Sequence, residues 1–129
     1  MLFRSILLAL VFGAQRALAL AHDPRRGNPP NSVVILTAPW CGYCMLLRES
    51  LAKNRIPYTD IDVDRSAEGR WAFMAVHGTG VPITIVGDQV VRGTRWHEIE
   101  RLLHRAGYGD FAPPATDALS GANESVLSR

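Results

Sequence analysis

Val33-Val34-Ile35-Leu36-Thr37-Ala38-Pro39-Trp40-Cys41-Gly42-Tyr43-Cys44 decides the fold of this 129-residue chain. The continuous apolar run over residues 33–36 is the pattern of a buried central strand, and a helical pattern begins soon after it ends. Both cysteines of the chain therefore fall at a strand-to-helix junction. Three physical effects meet at such a place. A helix N-terminus stabilises a thiolate through its unpaired N–H groups and macrodipole. Two intervening residues let the sulfurs close a disulfide, and the strand end holds the first sulfur at the surface. The pair reads as a redox site, with Cys41 the nucleophile and Cys44 the resolving thiol.

Other uses of the pair are weaker. As a staple, the bridge closes a loop of about four residues, which chain entropy values at about 2 kcal/mol, below the ~3 of a 15-residue loop. As a zinc half-site it lacks partners, because there is no second Cys-x-x-Cys and His97 and His104 are seven residues apart. A dithiol module for a soft ion such as Cu(I) is the rival of a different class, with Met45 the only nearby thioether. No metal is expected.

The N-terminus has the three parts of an export leader: Arg4, an apolar stretch over residues 5–14, and Ala17-Leu18-Ala19 as a cleavage site, with Ala19-Leu20-Ala21 the alternative. A membrane span needs about 20 predominantly apolar residues, and Gln15-Arg16 interrupt this one. Residues 1–19 are thus expected to be cleaved, giving an exported protein, periplasmic or secreted, without a lasting membrane span. The formal charge of +2 falls to zero once Arg4 and Arg16 leave. No basic stripe remains to argue for nucleic acid. Residues 20–31 read as a polar, proline-rich linker, 32–107 as one folded domain, and 108–129 as a disordered tail. A monomer is expected.

Within the domain the hydrophobic period alternates. A helix is expected over about 41–53, with Leu47 and Leu51 on its apolar face and Asn54 at its left-handed C-terminal position. Residues 58–63 alternate as a second strand. Asp64 or Ser66 can cap a second helix that carries Trp71 and Met74 into the core and stops at Gly78. Residues 83–86 and 89–92 flank Gly87-Asp88, a two-residue hairpin signal. A last helix, capped by Thr94, repeats Trp96, Ile99, Leu103 and Ala106 and ends at Gly107.

This β-α-β-α-β-β-α order, with Cys-x-x-Cys after the first strand, Gly80-Val81-Pro82 opening the third and a glycine after the hairpin, resembles the glutaredoxin family over roughly 32–106. The resemblance implies an α/β, thioredoxin-like fold with a four-stranded mixed sheet flanked by helices. It also implies thiol–disulfide oxidoreductase activity, with no bound cofactor and glutathione as co-substrate. Pro82 would be a cis-proline facing the disulfide, and the Val81 backbone would pair with substrate like an added strand. Tyr43, Val81, Gly93 and Thr94 match glutathione-contacting positions, and Trp40 stands beside the nucleophile. The implied partners are disulfide-bearing proteins or glutathione mixed disulfides, and a thiol reductant.

The sequence departs from the family pattern at several places. Arg92 replaces the usual first glycine after the hairpin, Arg95 replaces the Asp that holds glutathione's ammonium, and no cation precedes Cys41 within residues 37–40. A cation set where another cation should bind is repulsive. Gly42 replaces the proline of the commonest glutaredoxin motif; some family members lacking that proline hold an iron–sulfur cluster between two subunits, an assembly that export disfavours. The local Ala38-Pro39-Trp40-Cys41-Gly42 looks thioredoxin-like, which keeps a protein-disulfide reductase independent of glutathione as the alternative.

Overall fold

The computed structural model describes residues 2–109 and 111. After an N-terminal helix, α1 (Leu2–Ala21), come β1 (Val33–Thr37), α2 (Gly42–Lys53), β2 (Thr59–Asp62), α3 (Ala67–Ala75), β3 (Ile83–Val86), β4 (Gln89–Arg92) and α4 (Trp96–Arg105). The strands form one sheet of order β2-β1-β3-β4. β1 runs parallel to β2, pairing Ile35 with Asp60, and antiparallel to β3, pairing Ile35 with Thr84. β3 and β4 close as a hairpin with Val86 opposite Gln89, and Gly87 takes the positive φ of +62° that its turn demands.

Every residue of β1 is buried because helices cover both faces. Val33 and Ile35 join Leu47 and Leu51 of α2 and Trp96, Ile99 and Leu103 of α4. Val34 and Leu36 turn the other way, toward Ala72, Val76, Ile83 and Ile85. Each fully buried Leu or Ile in these two layers contributes about 1.5–3 kcal/mol. The second strand is shorter than its alternation suggests, since Tyr58 packs onto the α2–α4 layer while Val63 donates its N–H to the Thr37 carbonyl at 2.9 Å.

Helices α2, α3 and α4 each end in the same 6→1 and 5→2 hydrogen-bond pair, and two of them place a non-glycine in the left-handed position. In α2 that residue is Arg55 (φ +57°), not Asn54, which instead donates its side-chain amide to the Ser50 carbonyl at 2.6 Å. In α3 it is His77 (φ +53°), one residue before the expected stop at Gly78. Gly78 has a separate reason to be glycine: a Cβ there would lie 2.3 Å from the Phe73 ring. Only α4 ends as expected, on Gly107 with φ +96°.

Other expectations also change. Thr94 does not cap α4; Arg95 is the N-cap residue and makes no side-chain cap bond, because the Arg95 carbonyl is the one that receives the Glu98 and Ile99 amides. Met74 is half exposed rather than core, because the inward face of the nine-residue α3 is taken by Gly69, Ala72 and the following Val76. The packed body extends past residue 107. The Tyr108 hydroxyl donates to the Asn31 carbonyl at 2.6 Å, and Phe111 is buried against the α2–α4 layer. Residues 112–129 of the expected tail lie outside the described residues.

The segment before β1 is held as well. Asp23 has a side chain only 3% exposed and is gripped by the Arg25 guanidinium and backbone amide. These bonds, the Arg25 side chain first, hold the Asp23 carboxyl below its ordinary range. α1 runs unbroken through Gln15-Arg16 and both small-residue cleavage motifs, and none of its residues is buried.

Candidate active site

β1 delivers the chain to the site, and the turn after it sets the sulfurs. The Cys41 N–H donates to the Ala38 carbonyl at 3.2 Å, which turns the backbone so that Cys41 becomes the N-cap of α2 in an extended conformation. Its Sγ accepts the Cys44 N–H at 3.1 Å. That amide is one of the four that a helix start leaves without an internal partner. Cys41 and Cys44 are joined as a disulfide with Cα atoms 5.2 Å apart, inside the ordinary span for such a bridge. Cys41 keeps 5% of its surface and Cys44 none, so a reagent arriving from solvent meets Cys41 first.

The Val81–Pro82 peptide is cis, as the resemblance implies. Pro82 is buried, and Val81 packs against the layer that contains both cysteines. A groove of about 410 Å³ is lined by Trp40, next to Cys41 in the chain, by Val81, next to Pro82, and by Asp64, Phe73, Met74 and Gly80; neither cysteine lines it. Trp40 is 72% exposed, so it is no core residue. It is fixed at the groove's lip by its indole N–H, which donates to the Asp64 carboxylate at 2.6 Å. Asp64 in turn follows a turn closed by Asp62, whose carboxylate accepts the Asp64 and Arg65 amides, each at 2.8 Å. Those amides, Arg65's foremost, keep the Asp62 carboxyl below its usual range.

The remaining predicted residues are more dispersed. Tyr43 is exposed on the first turn of α2 and does not line the groove. Gly93 (φ +77°) and Thr94 do not line it either, but the Gly93 N–H donates to the Pro82 carbonyl at 2.9 Å and ties the end of β4 to the cis-proline. Arg92 turns to the Val76 carbonyl, and Arg95, mostly exposed, pairs with Glu98 at 2.8 Å.

Sequence reasoning missed two polar supports. One is Asp64, which the chain offered as a helix cap and the fold uses as the tryptophan's acceptor. The other is a triad under α2: the buried Thr37 hydroxyl donates to Asp60 and accepts from Arg48, which also forms an ion pair with Asp60. Arg48 stands one turn beyond Cys44, so the triad anchors the active-site helix to the β1–β2 edge. The only signal was the alternation that put Asp60 on the same face as Tyr58.

A mixed sheet with a cysteine pair at the N-terminus of the helix after β1, and a cis-proline just before β3, is a thioredoxin-like arrangement. Residues 33–91 match the family model described as Glutaredoxin. A provisional glutaredoxin of Mycobacterium tuberculosis is 40% identical over 47 residues, 36% of this chain and 56% of that protein. The chain thus spans little more than half the length of the curated relatives it matches. Among solved structures, the glutaredoxin-like NrdH-redoxin of Escherichia coli is 28% identical with a TM-score of 0.50, covering 55% of this chain and 93% of its own. A buckwheat glutaredoxin–glutathione complex shares the fold at 21% identity and a TM-score of 0.54, covering 73% of this chain and 93% of its own. Over residues 33–91 the chain is thus similar to the glutaredoxin family, and its fold is that of glutaredoxin and thioredoxin-like structures.

Proposed function

We propose that this protein is an exported thiol–disulfide oxidoreductase of glutaredoxin type that serves redox homeostasis. One observation carries the reading: Cys41 sits at the helix N-cap with its Sγ taking the Cys44 amide, while Cys44 lies fully buried behind it. In the reduced protein the Cys41 thiolate attacks a substrate disulfide. A bond forms between Cys41 Sγ and one substrate sulfur, and the other leaves as a thiolate that takes up a proton. Cys44 then loses its proton and attacks Cys41 Sγ, which releases the second substrate thiol and leaves the Cys41–Cys44 disulfide. A thiol donor returns the two electrons, and run backwards the same steps donate the disulfide.

The substrates are disulfide-bearing proteins or glutathione mixed disulfides, with Trp40, Tyr43, Val81, Pro82, Gly93 and Thr94 as the binding residues. Export rests on α1, a 20-residue apolar helix at the N-terminus, with cleavage after Ala19 or Ala21. Cys44→Ser tests the chemistry: with a peptide disulfide it should accumulate a mixed disulfide on Cys41, read by mass. No adduct, or one that survives Cys41→Ser, would contradict the assignment.

A second reading, reduction of protein disulfides without glutathione, is favoured by Arg95 and by the relative described as a glutaredoxin-like protein with a thioredoxin-like activity profile. Arg95 repels an ammonium, but at an exposed position the contact is worth only ~0–1 kcal/mol, and Glu98 partly neutralises it. Modest glutathione-disulfide activity is therefore expected, with KM falling more than kcat rises in Arg95→Asp. An unchanged or higher KM makes the second reading the leading one.

A further inference from the structure

We propose that Arg92 is a positioning residue for the substrate groove, acting through the loop over residues 76–82; the inference rests on the oxidoreductase reading above. Arg92 lies opposite Ile83 in the β3–β4 ladder, and Ile83 belongs to the layer on the α3 side of the sheet, so Arg92 projects toward the C-terminus of α3. There its guanidinium donates to the Val76 carbonyl. The next residue, Gly93, donates its N–H to the Pro82 carbonyl at 2.9 Å. Arg92, the last residue of β4, and Gly93 after it therefore grip both ends of one loop. That loop supplies Thr79, Gly80 and Val81 to the lining of the groove that Trp40 also lines.

The Arg92 bond matters because of the carbonyls at the end of α3. A helix leaves its last four carbonyls without internal partners. At the end of α3, Ala72, Phe73 and Met74 receive the amides of Val76, Gly78 and His77, and Ala75 receives the Arg25 guanidinium at 3.3 Å. Val76 is left to Arg92 alone among the described residues. The guanidinium also meets the negative end of the α3 dipole, which strengthens the bond. No glycine or small residue at position 92 could make it. His77, in the left-handed conformation at φ +53°, follows directly, so loss of the pin frees a junction whose backbone an L-residue adopts at a cost.

Wild type, Arg92→Met and Arg92→Lys decide the matter, with insulin disulfides as the long substrate and dithionitrobenzoate as the small one, alongside amide exchange at Gly78, Gly80 and Val81. Arg92→Met keeps the aliphatic stem and should speed exchange at these amides. It should raise KM for insulin by about three- to tenfold while kcat and the dithionitrobenzoate rate stay within about twofold. Arg92→Lys, still a donor, should recover most of the KM. Unchanged exchange, faster exchange with KM unmoved, or parallel loss on both substrates would each overturn the assignment. A wild type that reduces neither substrate would overturn the oxidoreductase reading and the substrate role of Arg92 with it; failure of the Arg92 assignment alone leaves wild-type turnover intact.

Discussion

Cys41 accepts the Cys44 amide at its sulfur, and that single bond distinguishes the surroundings of the two cysteines. A thiolate at the N-cap gains an orphan N–H and the positive end of the α2 dipole, whereas Cys44 is fully buried, and burial disfavours its charged form. Cys41 should therefore have the lower thiol pKa and alkylate first. Mass spectrometry of the reduced protein after limiting iodoacetamide should find the label on Cys41, and preferential labelling of Cys44 would reverse the roles. The pairing of the cysteines at the start of α2 was legible in the sequence because the cysteines, the strand before them and the helix after them are contiguous. The partnership of Trp40 with Asp64 was not, since it joins two turns 24 residues apart that meet only when β2 pairs with β1.

At the scale of elements, type and order follow from periodicity alone, because each apolar face is long enough to choose its period. Ends are decided differently. Asn54 and Gly78 are good residues for a left-handed position, yet Arg55 and His77 occupy it, because Leu51–Ile56 and Phe73–Gly78 set where each chain turns back. Ile56 joins the same buried layer as Leu51, and that burial fixes the turn one residue after Asn54. An L-residue there costs about 1–2 kcal/mol, of which glycine returns a part through lower strain and loses a part through backbone entropy. Arg55→Gly should raise stability by about 0.5–1 kcal/mol in urea unfolding. A loss of stability would show that the Arg55 side chain contributes more than its backbone costs. A different limit applies at Gly69, where a Cβ would sit 1.8 Å from the Asp62 carbonyl oxygen, a close approach that no sequence pattern announces.

Across the whole molecule, the segments expected to be free at either end of the domain are partly packed against it. Tyr108 and Phe111 close one side, and the Asp23–Arg25 clamp fastens the other to α3. Long-range burial of a short polar segment leaves no periodic trace, so neither was legible. The clamp has a pH signature. The Asp23 carboxyl is held low by Arg25, so its stabilisation is fully present above the unfolded carboxylate value of about 3.9 and is lost as pH falls through the lower folded value. Asp23→Asn should therefore flatten the acid limb of stability against pH; an acid limb of unchanged slope would mean that the clamp stores no such linkage. The central claim, that this scaffold turns over disulfides through Cys41, is tested most directly by counting. With a thiol donor in excess, the oxidised wild-type protein should reduce many equivalents of an insulin disulfide per chain, and Cys41→Ser none above the uncatalysed rate. Reduction that stops at one equivalent per chain, or that continues in Cys41→Ser, would contradict the account.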